Sequence, residues 1–83
     1  MTNIRVRFFA AARAAAGTDE TRVTVPAGTS VAGALAILSS GQPPLADVVS
    51  RCSFLVNGVA LTNPAHPLAD DDLVDVMPPF AGG

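Results

Sequence analysis

The chain has 83 residues, 49 % of them hydrophobic, with five basic and seven acidic side chains and a net charge of −2. That length makes one small domain able to bury roughly 60–65 % of its unfolded surface, enough for a modest core but not for a deep private active site. The hydrophobicity excludes disorder, the weak and unclustered charge argues against nucleic acid as a partner, and no apolar run is long enough to cross a membrane.

Ile4, Val6 and Phe8 alternate with Arg5, Arg7 and Phe9, the period-2 signature of a half-buried strand. Ala10–Ala16 is nearly all alanine and is followed by Gly17, which predicts a short helix with a glycine stop. Thr21–Val25 reads as a second strand, with Val23 and Val25 inward, ending at Pro26-Ala27-Gly28. Thr29 and Ser30 are candidate N-caps for the main helix, in which Val31, Ala34, Leu35 and Leu38 share one face. Gly41 and Pro43-Pro44 end that helix, and Leu45–Ser50 predicts a further helical turn. Ser53–Val56 is apolar and continuous and reads as a buried strand. Asn57-Gly58 marks a hairpin into a short strand at Val59–Leu61. A loop through Asn63-Pro64 and His66-Pro67 follows, with Leu68 plugging the core, then a turn at Asp70–Asp72 and a last strand, Leu73–Met77.

The order β, short α, β, α, β, β, β predicts an α+β domain of the β-grasp type. One main helix crosses a mixed sheet of about five strands, with the first and last strands parallel neighbours. The expected division is residues 1–77 as the domain and 78–83 as a tail. Proline ends the sheet at or before Pro78, and the chain beyond it is too short to pack and should project into solvent. Gly82 and Gly83, lacking side chains, can thread a narrow channel and present the terminal carboxylate beyond it. The carboxylate itself is therefore the expected functional group. Strand parity also places Phe9 and Met77 together on an exposed face beside an Arg–Asp75 pair, with Leu61 extending the patch.

Other candidates read as structural. Cys52 excludes an internal disulfide and a cysteine-rich metal site, and no helix N-terminus or paired histidine activates it, so it reads as core filler. His66 lacks partners at ligand spacing, and Asp70–Asp72 lacks the further ligands of a calcium loop. No metal or bound cofactor is expected. Gly28-Thr29-Ser30 has no phosphate-loop pattern around it. The opening residues lack the features of a signal peptide, and the expected location is cytoplasmic.

Several segments together resemble one family, the ubiquitin-like sulfur carriers, in the branch that forms the small subunit of molybdopterin synthase. They are Val6–Arg13, Thr29-Ser30-Val31 with Leu35 and Leu38, Val56-Asn57, the Leu68-x-Asp70-x-Asp72 turn and, most specifically, Asp75–Gly83 with its Pro-Pro-x-x-Gly-Gly ending. One departure is visible: the glycine that the family carries inside the acidic turn is Asp71 here. The resemblance implies that an ATP-using, E1-like partner adenylates Gly83 and that a persulfide donor then converts it to a thiocarboxylate. Phe80, Ala81 and Gly82 would pass into the large synthase subunit, and Phe9, Leu61, Met77, Pro78 and Pro79 would meet the partners. Two sulfur transfers to a cyclic pyranopterin precursor would build the dithiolene that later holds molybdenum. In the family the assembly is a heterotetramer whose catalytic groups belong to the large subunit, so this chain would do no catalysis alone. Carriers for thiamine or cysteine synthesis share the fold and the Gly-Gly ending, and a ubiquitin-like protein modifier would use the same adenylation to acylate a lysine. The Pro-Pro base of the tail favours the synthase reading.

Overall fold

The computed structural model describes Met1–Pro79, so Phe80, Ala81, Gly82 and Gly83 lie outside the described residues. The elements are β1 (Thr2–Phe8), α1 (Ala10–Ala16), β2 (Glu20–Val25), α2 (Val31–Ser39), α3 (Pro43–Val49), β3 (Ser53–Val56), β4 (Val59–Ala60) and β5 (Leu73–Met77). They form one five-stranded sheet in the order β2-β1-β5-β3-β4. β1 and β5 run parallel at its centre, with Arg5 beside Leu73 and Phe8 beside Val76. β2 and β3 flank them antiparallel. This is the β-grasp arrangement.

Strand alternation divides the sheet into two faces. Ile4, Val6 and Phe8 of β1, Val25 of β2, and Val74 and Val76 of β5 are buried. They pack with Ala12, Val31, Ala34, Leu35, Leu45 and Leu68, so α1, α2, α3 and one loop residue close the core over a single face. Side chains of this kind contribute about 1.5–3 kcal/mol each when fully buried.

The local signals act as their chemistry requires. Gly17 closes α1 at φ 77°, its N–H donating to the Arg13 carbonyl. The Ser30 hydroxyl caps α2 by accepting from the Gly33 N–H at 3.0 Å. Asn57 and Gly58 take φ 51° and 83°, the pair of left-handed residues a two-residue hairpin needs. Leu68 plugs the core, held where its N–H donates to the Thr29 carbonyl at 2.9 Å.

Several details differ from expectation. The main helix is only nine residues long, and Pro43 and Pro44 do more than terminate it. They form the first turn of α3, where a missing N–H costs nothing. β3 is half-buried rather than buried, because the helices cover only its Phe54 and Val56 side and its outer neighbour β4 has just two residues. Leu61 lies beyond the end of β4.

Candidate functional site: the uncovered sheet face and the base of the tail

The face away from the helices carries Asn3, Arg5 and Arg7 from β1, Leu73, Asp75 and Met77 from β5, and Ser53 and Leu55 from β3. At its centre Arg7 grips Asp75 with two parallel hydrogen bonds, Nε donating to Oδ1 at 2.7 Å and Nη2 to Oδ2 at 2.9 Å. The two residues are direct neighbours across the parallel β1–β5 pair, although 68 positions apart in sequence. This fork-on-fork geometry fixes the guanidinium plane and raises the arginine pKa further, through the hydrogen bonds first and the carboxylate charge second. Arg7 also reaches over the Phe9 ring, with its guanidinium carbon 5.7 Å from the centroid.

The expected Arg–Asp75 pair is therefore present, and Arg7 is the arginine that makes it. Asp75 is not exposed as parity implies, however. Its side chain keeps only 6 % of its accessible surface while that of Arg7 keeps 44 %, because the guanidinium lies over the carboxylate. Phe9 leaves the strand and takes the N-cap position of α1 in an extended conformation, so it stays on this face and stays exposed. Met77 is half-buried at the same end of the sheet.

Leu61 does not join them. Val56 stands opposite Val59 and Leu55 opposite Ala60, and the Leu61 N–H donates to the Phe54 carbonyl at 2.9 Å. Directly opposed residues share a face, so Leu61 falls on the helix side with Phe54 and packs against the core. The expectation that it extends the exposed patch of Phe9 and Met77 is corrected. Leu55 and Leu73 take that place, and the alternation of β3 and β5 was the signal that could have found them.

The base of the tail is also better anchored than the sequence suggests. β5 ends at Met77, as the double proline demands, yet Pro78 does not project freely. It is half-buried, and with Pro79 it lines a cleft of about 150 Å³ against Ala11 of α1, Val48 of α3 and Arg51. The chain thus leaves the sheet along the seam of two helices, which fixes where the following residues start.

This arrangement, a parallel central pair with one uncovered face ending in Pro78-Pro79, can be set beside known proteins. The ThiS family pattern matches residues 6–83. The chain belongs to the ThiS family. SAMP1, a small archaeal modifier protein from Haloferax volcanii, has a crystal structure similar to this fold at a TM-score of 0.86 and 27 % identity, covering 98 % of this chain and 99 % of that one. A putative molybdopterin converting factor subunit 1 from Pyrococcus furiosus is similar at 0.85 and 25 %, over 96 % and 100 % of the two chains. A chain in a protein–protein complex of molybdopterin-converting factor subunits 1 and 2 from Helicobacter pylori shares the fold at 0.72 and 21 %, over 99 % and 100 %. No curated protein is similar enough to count as a match. As a ThiS-family member with these neighbours, the chain is a ubiquitin-like protein of the sulfur-carrier and modifier class.

The remaining candidates of this ThiS-family chain are structural. The Cys52 thiol donates to the Val48 carbonyl at 3.1 Å, and burial pushes its pKa up, which weakens it as a nucleophile. In the acidic turn Asp70 accepts from the Asn3 N–H at 2.8 Å, and Asp72 accepts from the Asn57 side chain at 2.9 Å and the Ala69 N–H at 2.8 Å. These carboxylates tie the start of β1 and the β3–β4 hairpin to the turn that feeds β5. Asp71 stands at φ 66°, the left-handed conformation that the family's glycine would adopt freely. His66 is exposed. Among the described residues no helix is long and apolar enough to cross a membrane, and no three His, Cys, Asp or Glu side chains gather as a metal site.

Proposed function

We propose that this chain is the cytoplasmic sulfur-carrying small subunit of molybdopterin synthase. Its Gly83 carboxylate attacks the α-phosphorus of ATP on an E1-like partner and releases pyrophosphate, leaving an acyl adenylate. The terminal sulfur of a persulfide donor then attacks the carbonyl and expels AMP, and a thiol cleaves the resulting acyl disulfide to leave a thiocarboxylate. That sulfur is passed to a cyclic pyranopterin precursor inside a large subunit, which supplies the acid and base.

The observation that carries this reading is the continuous run Asp75–Gly83. Asp75 anchors the uncovered face, Met77 ends the strand, Pro78-Pro79 seat the chain between α1 and α3, and Phe80-Ala81-Gly82-Gly83 follow. The glycines suit the chemistry, because a side chain at 83 would crowd a carbonyl that is attacked repeatedly and one at 82 would widen the threading segment. The likeness to a molybdopterin converting factor subunit 1, and the complex of such a subunit with subunit 2, support a large-subunit partner. The equal likeness to an archaeal modifier protein supports a second reading, in which the same adenylate acylates an amine on another protein.

Intact mass after incubation with an E1-like protein, ATP and a persulfide source tests this directly. The expected result is replacement of one oxygen by sulfur, abolished when Gly83 is deleted while the melting transition is unchanged. A deletion variant that still supports molybdopterin formation removes the basis of the reading. Higher-mass isopeptide-linked species in place of the thiocarboxylate would transfer the assignment to the modifier class.

A further inference from the structure

The sequence contains five arginines and not one lysine. Among the described residues, only Arg7 has a geometry that requires a guanidinium, its planar fork matching the Asp75 carboxylate. Arg13 and Arg51 keep 60 % and 66 % of their side-chain surface and make the kind of surface pair a lysine would serve equally, to Asp19 at 3.6 Å and Asp47 at 2.7 Å. Arg22 is likewise exposed, on the edge strand opposite Arg5. Packing therefore does not explain why lysine is missing. Nucleophilicity separates the two residues: a guanidinium stays protonated near neutral pH, whereas an ε-amine supplies a free-base fraction that attacks activated acyl groups.

The fold deals with the other nucleophiles in a consistent way. The α-amine of Met1 sits at the start of β1, whereas the tail leaves from the end of β5, beside Phe9. Eight residue steps of about 3.3 Å separate Met1 from Phe9, roughly 26 Å along the sheet. The four residues after Pro79 span at most about 13 Å. Cys52 donates its thiol proton to a helix carbonyl and is partly desolvated.

Resting on the activation of Gly83 proposed above, we infer that this chain is a self-insulated acyl donor. Its activated glycine meets no amine within reach on its own surface and no side-chain amine on a second copy, so it passes only to sulfur or to amines of other proteins. The excluded reaction is the attack of an amine nitrogen on the Gly83 carbonyl, which expels AMP, forms an amide and loses a proton to solvent. As a modifier, the chain would add one copy per acceptor amine and build no chains through its own side chains.

Arg51 gives the test, because it lines the cleft that holds Pro78 and Pro79 and so lies within the span of the tail. Wild type, Arg51→Lys and Arg22→Lys are each incubated with the E1-like protein and ATP without a sulfur donor, with and without hydroxylamine. All three should be trapped as the Gly83 hydroxamate. Without hydroxylamine, wild type should return unmodified, and Arg51→Lys should give a product lighter by one water, mapped to the substituted position. About tenfold more of it than of any internally linked product from Arg22→Lys is expected from the proximity of the new amine. Arg22→Lys, on the uncovered face of the edge strand β2 and two strands away from β5, should give two-copy species instead. Self-linked wild type, or an Arg51→Lys protein that forms the hydroxamate yet stays uncoupled, overturns the inference. Failure of all three to form a hydroxamate defeats the activation reading itself, and the inference falls with it.

Discussion

The two faces of the central sheet are made from the same strands and differ in almost every other respect. On the helix side, Ile4, Val6, Phe8, Val74 and Val76 are sealed under apolar neighbours, held by a force with little directional demand. On the other side the same β1 and β5 present a two-pronged ion pair, a ring against a cation and half-buried Leu73, Leu55 and Met77. Asp75 is covered and Arg7 is half-exposed, so the pair leaves a fixed cation on the uncovered face. One face holds the domain together and the other leaves charged and apolar side chains open to solvent. The tail begins where the second face ends.

The largest stability effect should come from the covered face. Ile4 is 1 % exposed, and Ile4→Ala should lower the unfolding free energy by about 3 kcal/mol, since lost burial and an unfilled cavity add. Urea denaturation measures this. At temperatures where the variant is folded, its affinity for the proposed E1-like and large-subunit partners should match wild type. A parallel loss of affinity would mean that the two faces are not separable.

The complementary change removes the charges from the uncovered face. The double variant Arg7→Met/Asp75→Leu keeps the approximate volume of the pair, so stability should be unchanged or slightly raised. Docking should weaken by about tenfold or more, as expected where a central, desolvated arginine is an anchor. Calorimetric titration against each partner, beside a urea curve, reads both quantities. A variant that unfolds earlier and binds normally would reassign the pair to the architecture and break the comparison.

Much of this division is legible in the residues. The alternation Ile4-Val6-Phe8 fixes the covered face of β1, and Asn57-Gly58 and Gly17 mark turns whose backbone demands narrow the choice of residue. Less legible is anything that depends on a partner distant in the chain. Asp75 looks solvent-facing from parity and becomes covered only because Arg7, 68 positions earlier, folds over it. Leu61 looks like a surface residue until the two-residue hairpin sets its side of the sheet. Pro43-Pro44 stop one helix and start another, and local signals weigh only the first role. The candidate site divides in the same way: its Pro-Pro-x-x-Gly-Gly ending is visible in sequence, whereas the make-up of the uncovered face needed the β1–β5 register.

The smallest effect lies at the turn that sets this register. The Asp71 N–H donates to the Asn3 carbonyl at 2.7 Å and the Asn3 N–H to the Asp70 carboxylate at 2.8 Å, so the turn is pinned to the start of β1. Both faces depend on that alignment, since a one-residue slip would exchange them. The turn holds Asp71 at φ 66°, which for an L residue costs about 1 kcal/mol, somewhat less for aspartate. Glycine relieves the strain but brings a more flexible unfolded chain, and the two terms largely cancel. Asp71→Gly should therefore raise stability by only about 0.5 kcal/mol, seen as a higher urea midpoint at unchanged slope. Partner affinity should not move, because the register is already set by the flanking hydrogen bonds. A loss of stability would show that the aspartate side chain contributes more to the turn than its backbone strain removes.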